Sequence, residues 1–162
     1  MATDAPWLFV LTLVAALGCG LIAGVFFAFS TFVMRALARL PAPEGIAAMQ
    51  SINVVVLNRW FLGVFLGSGI VCVLVIIVAS GQWYAPRSVL LLIGSLLYLA
   101  GSVLVTIVCN VPRNEALASV APGDPDNTRL WTRYVAGWTA WNHVRTAAAL
   151  AAACLFTITL AF

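Results

Sequence analysis

Between Trp60 and Ser80 the chain runs for 21 residues without one charged side chain, WFLGVFLGSGIVCVLVIIVAS. A helix of that length rises about 30 Å, the thickness of a bilayer's hydrocarbon core. Three further stretches read the same way: Trp7 to Met34, Arg87 to Asn110, and the chain beyond Thr128. With 64% hydrophobic and 8% charged residues, a soluble domain of 162 residues is excluded. The expected fold is all-α: one integral membrane four-helix bundle over residues 1–162, with helices at about 7–34, 44–80, 87–110 and 128–161. The start, MATDAPW, has no basic region and carries an acid, so the first helix is expected to be retained rather than cleaved.

The connections follow from the breakers. Pro41 and Pro43 end the first segment, and Glu44 suits the first turn of a new helix running on into the second span. Trp83 and Tyr84, in the turn GQWYAP, suit a membrane interface. Pro112 is expected to end or kink the third helix, and APGDPDN is the one true loop. Gly20 with Gly24, and Gly63 with Gly67, have the G-x-x-x-G spacing of a close helix contact; Gly94 and Gly101 lie seven apart on one face. Arg35, Arg39, Arg59, Arg113, Arg129 and Arg133 fall on one side of the membrane and only Arg87 on the other. By the positive-inside rule the first side is cytoplasmic and both termini are non-cytoplasmic, as in a multi-pass protein of the cell membrane.

The polar residues are concentrated. On a helical wheel stepping about 100° per residue, Thr139, Asn142, His143, Arg145 and Thr146 fall within one arc of roughly 160°, lined by Trp131, Tyr134, Trp138 and Trp141. Charged and amide side chains facing lipid are costly, so the arc is expected to face protein or a cavity. Asn53, Asn58, Asn110 and Asn114 map to the same cytoplasmic half, which suggests a polar pocket roofed by aromatics. His143 fits a structural bond, an acid–base group or a haem ligand, and the residues leave the three open. Arg145 fits an oxyanion binder or the partner of Glu115, the acid nearest to it outside the polar loop. A link between Arg145 and Glu115, direct or through water, beneath a pocket of Asn53, Asn110, Asn142 and His143, is the expected arrangement.

Several classes are excluded or disfavoured. The arginines sit at helix ends, which indicates topology rather than nucleic-acid binding. Cys19, Cys72, Cys109 and Cys154 lie in four separate apolar segments with no C-x-x-C, so neither a disulfide framework nor a bound metal is expected. No nucleotide-binding loop or nucleophile elbow occurs, and no acidic residue lies inside a span, which argues against a proton-coupled transporter.

AGVFFAFSTFVMRAL in the first segment, INVVVLNRWF before the second, NVPRNEAL after the third and W-x-x-Y-x-x-x-W-x-x-W-N-x-x-R in the fourth together resemble the anthrone oxygenase-like membrane proteins. The resemblance covers essentially the whole chain. It implies cofactor-independent oxidation, by O2, of the central CH2 of an anthrone-like polyketide aromatic to a carbonyl. It also implies a small hydrophobic aromatic substrate, with the bilayer as the other partner. His143 would then act as base, Arg145 with Asn142 as oxyanion stabiliser, and Asn53, Asn58, Asn110, Asn114, Tyr134, Trp138 and Trp141 as substrate contacts. A non-catalytic haem-, quinone- or lipid-binding protein is the alternative, with haem held through His143. Homo-oligomerisation is left open.

Overall fold

The computed structural model describes residues 6–82, 86–124 and 127–161, and every regular element within them is helical. Trp83 and Tyr84 lie outside the described residues. The helices are α1 (Pro6–Leu37), α2 (Ala42–Val55), α3 (Arg59–Ala79), α4 (Pro86–Ala118) and α5 (Thr128–Thr159). Of these, α1, α3 and α4 are long and apolar enough to cross a membrane, so the chain is a membrane protein. The 32 residues of α5 match them in length, but α5 carries the polar arc.

The expected continuous helix over 44–80 is in fact two helices, because Asn58 caps α3. Its Oδ1 accepts from the backbone N–H groups of Trp60 and Phe61 at 3.0 Å, and its Nδ2 donates to the Val55 carbonyl at 2.9 Å. The side chain thus closes one helix and opens the next, the local competition with backbone bonds that suits Asn to helix boundaries. Helix α4 departs from expectation in the other direction. Pro112 does not end it. The chain passes through π-helical turns at Leu99–Leu104 and Thr106–Asn110, in which the Val111 N–H bonds back five residues to Thr106. Pro112 then sits in the first turn of the α-helical stretch Val111–Ala118. Its missing N–H falls directly after the π turn, where the backbone bonding changes register. A third π turn, Phe29–Val33, lies in α1.

α5 packs along α1 and α4, and α3 closes the ring between those two. One core fills this ring with small and aromatic residues, among them Ala15, Cys19, Val75, Ala149, Ala152 and Phe156. A second core, Met34, Ile46, Met49, Leu117, Trp131, Tyr134 and Trp138, gathers α2, the ends of α1 and α4, and the start of α5. Gln50 fastens it: its Nε2 donates to the carbonyls of Leu117 and Val120, at 2.8 and 3.0 Å, and so satisfies the end of α4. Outward-facing Leu17, Leu21, Ile70 and Ile77 are each more than half exposed, the surface a bilayer would cover.

The glycine expectations divide. A Cβ at Gly24, Gly63 or Gly67 would meet nothing within 4 Å, and one at Gly20 only Ala153 at 3.9 Å, so neither G-x-x-x-G pair makes a close contact. Gly94 and Gly101 do face α5. A Cβ at Gly94 would press on the Phe156 ring at 3.3 Å, and one at Gly101 would collide with the Ala148 methyl. Spacing marks a small-residue face; the apolarity of the whole helix surface decides whether that face turns inward.

Candidate functional site

The site is assembled around Asn142, which is fully buried near the middle of α5. Its Nδ2 donates to the Phe26 carbonyl and to Ser30 Oγ of α1, both at 2.7 Å. Its Oδ1 accepts from Arg145 Nη2 at 2.6 Å. Ser30 Oγ and Thr146 Oγ1 share a further bond at 3.1 Å, and Thr146 returns a proton to the Asn142 carbonyl at 2.8 Å. The amide thus uses both ends, joining α1 to the guanidinium.

Arg145 is 5% exposed. On its far side Nη1 donates to Thr106 Oγ1 of α4 at 3.1 Å, while Ser102 Oγ donates to the Arg145 carbonyl at 3.3 Å. The guanidinium lies between two rings, with Cζ 4.2 Å from the Phe26 centroid and 5.0 Å from that of Trp138. Such cation–π contacts contribute about 2 kcal/mol each when desolvated, and hydrogen bonds to a charged group about 1.5–3 kcal/mol. Taking the ion out of water costs several kcal/mol even after relaxation, on the order of the sum of these gains. The cage therefore tolerates the cation without neutralising it. Among the described residues no carboxylate is bonded to Arg145, and its Nε–H, buried, has no acceptor.

That N–H is one of several buried polar groups without a partner near the cage. Trp138 Nε1 is unbonded, as is Asn110 Oδ1, although Asn110 Nδ2 donates to the Trp138 carbonyl at 3.3 Å. Thr139 Oγ1 and Asn53 Nδ2 are likewise unpaired. Most buried polar groups in folded proteins are satisfied, so this concentration on one side of the bundle is what a site for a polar ligand presents. The π turns of α1 and α4 supply Ser30, Thr106 and Asn110, and such turns recur at functional sites because they rotate side chains out of α-helical register.

The predicted residues are distributed unevenly. Asn142, Arg145, Asn110 and Trp138 come together. Tyr134 stands one turn away, its ring 6.5 Å from Trp138 and 5.7 Å from Trp131, and its hydroxyl donates to Asn114 Oδ1 at 2.9 Å. Asn53 of α2 is half-buried beside that hydroxyl. Trp141 is 38% exposed on the flank of α5. His143 is exposed, has no bonding partner among the described residues, and lies outside the cage. It lies at the edge of the predicted arc, and an arc of roughly 160° is wider than the stripe that α1 and α4 cover. Asn58 is an exposed helix cap rather than a ligand. No direct Arg145–Glu115 link forms: Glu115 is exposed on α4, and Thr106 and Asn142 hold the guanidinium instead. Glu115 lies beyond Pro112, but the helix continues there, so the chain does not fold back toward the cage.

Sequence reading missed Phe26, Ser30 and Thr106 as site components. Their only signal was the presence of small hydroxyls and a phenylalanine in otherwise lipid-like helices. Among the described residues no group of three or more His, Cys, Asp or Glu could hold a metal ion.

No curated protein and no solved structure matches the chain. The family model for anthrone oxygenase matches residues 57–155, more than half of the chain. That stretch contains Thr106, Asn110, Tyr134, Trp138, Asn142 and Arg145, the α4 and α5 sides of the cage, and the chain belongs to the anthrone oxygenase family.

Proposed function

We propose that this protein is an oxidoreductase that uses O2 to convert the CH2 of an anthrone-like polyketide aromatic to a carbonyl, with Arg145 holding the substrate's anion. The observation carrying this reading is the buried, carboxylate-free guanidinium between Phe26 and Trp138, with its Nε–H unused. An anthrone that loses a CH2 proton becomes an aromatic anion whose charge rests on oxygen. A fixed cation flanked by two aromatic rings and little screened by solvent lowers the cost of that anion more than bulk water does. Among the described residues no carboxylate or imidazole is bonded within the cage, so the proton passes to water and the protein's contribution is to hold the conjugate anion.

The anion then passes one electron to O2, and the resulting superoxide and carbon radical combine to a peroxide, which takes up a proton. Loss of the second proton from that carbon breaks the O–O bond, leaving the carbonyl and releasing hydroxide, which becomes water. The balance is CH2 plus O2 to C=O plus H2O, and this reading uses no cofactor.

The bundle is placed in the cell membrane with four crossings, α5 being the fourth, and with both termini on the non-cytoplasmic side. The six-to-one arginine bias supports that orientation. A reporter fused after Phe162 should be inactive in the cytoplasm; cytoplasmic activity rejects the orientation.

The chemical test uses purified protein in nanodiscs with an anthrone, following quinone absorbance and O2 uptake together. One O2 should disappear per carbonyl formed. Arg145→Met should fold and lose about 10²–10³ in turnover, the usual effect of deleting an oxyanion donor. Turnover by Arg145→Met at the unsubstituted rate rules out the assigned role.

A further inference from the structure

Arg129, Arg133 and Gly137 stand four residues apart on α5 and so share one face. The third position has no side chain of its own, and Arg113 of α4 fills it: a Cβ on Gly137 would come within 3.0 Å of Arg113 Nε. Arg113 is steadied by a hydrogen bond from Nη1 to the Cys109 carbonyl. Three guanidiniums from two helices therefore form one ladder. Arg129 and Arg133 are exposed, Arg113 is half-buried, and among the described residues none of the three forms an ion pair.

Beside the ladder lies an open groove of about 310 Å³, between Arg113 and Arg133, with Leu117 and Leu130 as its apolar lining and Tyr134 and Gly137 as its wall. A second hollow, about 490 Å³, opens beside Arg129 and Arg133. Unpaired cations over an apolar floor complement an amphiphile with an anionic head. The exposed apolar surface of α4, with Ile107 and Val108 57% and 61% exposed, belongs to the same helix one to two turns away. A ligand arriving by that surface comes from the bilayer. Basic hollows between helices, at the arginine-rich side of a membrane protein, suit acidic phospholipid headgroups.

We infer that the groove between α4 and α5 is a binding site for an anionic phospholipid, with the phosphate on Arg113 and Arg133 and an acyl chain against Leu117 and Leu130. The lipid ties the end of α4 to the start of α5, across the helix pair whose inner faces carry Thr106 and Arg145. Tyr134 is common to both places, forming the groove wall and standing one turn from Trp138. The lipid site is distinct from the Arg145 cage, and its occupancy is read without any turnover.

Native mass spectrometry of the full chain, in micelles with equal phosphatidylglycerol and phosphatidylcholine, tests it. The unsubstituted protein should retain phosphatidylglycerol at least tenfold in preference. Arg113→Gln with Arg133→Gln should lose the preference, whereas Arg35→Gln with Arg39→Gln, at the same end of the bundle, should keep it. Gly137→Leu, which displaces Arg113, should reduce it. Raising salt from 0.05 to about 0.5 M should weaken retention by the unsubstituted protein, since exposed charges are screened. Equal retention of the two lipids overturns the inference, as does a preference that survives in the Arg113/Arg133 variant. Displacement of the lipid by an equimolar carboxylated aromatic overturns it too, in favour of a substrate portal. If the double variant fails to fold, salt-independent retention by the unsubstituted protein counts against the site.

Discussion

The two cores of this bundle are built from different materials and do different work. The core holding Ala15, Cys19, Ala149 and Phe156 packs small residues against small residues, and Gly94 and Gly101 let α4 approach α5 there. Its buried polar groups find protein partners: Thr12 and Thr159 bond their own helix, and Tyr98 of α4 donates across to the Phe65 carbonyl of α3 at 3.0 Å. Ser95 leaves a buried hydroxyl unpaired there. The core of Met34, Trp131, Tyr134 and Trp138 uses large aromatics, and at its border with the first the chain buries Asn110 and Arg145 with bonds left unmade. One region is optimised for packing; the other withholds satisfaction where a ligand would supply it. Sites of this kind are where local stability is given up.

Substitutions in the two regions should therefore fail in different ways. The largest effect on folding is expected from Gly101→Leu, whose side chain would drive into Ala148; overpacking of this kind costs about 1–3 kcal/mol or more. Gly24→Leu and Gly67→Leu meet open space and should melt like the unsubstituted protein. Comparable losses in thermal melts of all three would mean that the helix contacts are misassigned.

The polar region should show the reverse. Thr106→Asp places a carboxylate where Arg145 Nη1 now finds a hydroxyl. The variant should fold, because a buried cation gains a partner. On the proposed role of Arg145 it should lose turnover by about 10²-fold, because the new carboxylate neutralises the guanidinium. Full activity with a paired Arg145 would break the comparison at its centre.

The smallest effects belong to residues that sequence placed at the site and the structure places outside it. His143→Ala and Glu115→Gln alter exposed side chains and should each change stability by less than about 0.5 kcal/mol. They should leave anthrone oxidation within about twofold. A large loss of rate with an intact fold in His143→Ala would restore the imidazole as base and require the α5 face to turn.

The helical class was legible in the residues alone, and of the four spans expected from them α1, α3 and α4 have the length and apolarity to cross a membrane, because long apolar runs have no other stable conformation in lipid. The sequence by itself also determined that Asn142 and Arg145 share a face of α5, because that depends only on helical period. Tertiary structure decided which part of that arc is covered. α1 and α4 bury Asn142, Arg145 and Thr146 and leave His143 outside, a choice set by the width of the packed stripe rather than by the chemistry of the side chains. It also decided what Arg145 meets. The π turns bring Ser30 and Thr106 to the cage, and their register is not written in any local pattern of residues. The unbroken course of α4 past Pro112 leaves Glu115 outside, so the hydroxyl of Thr106 and the amide of Asn142 hold the buried guanidinium instead.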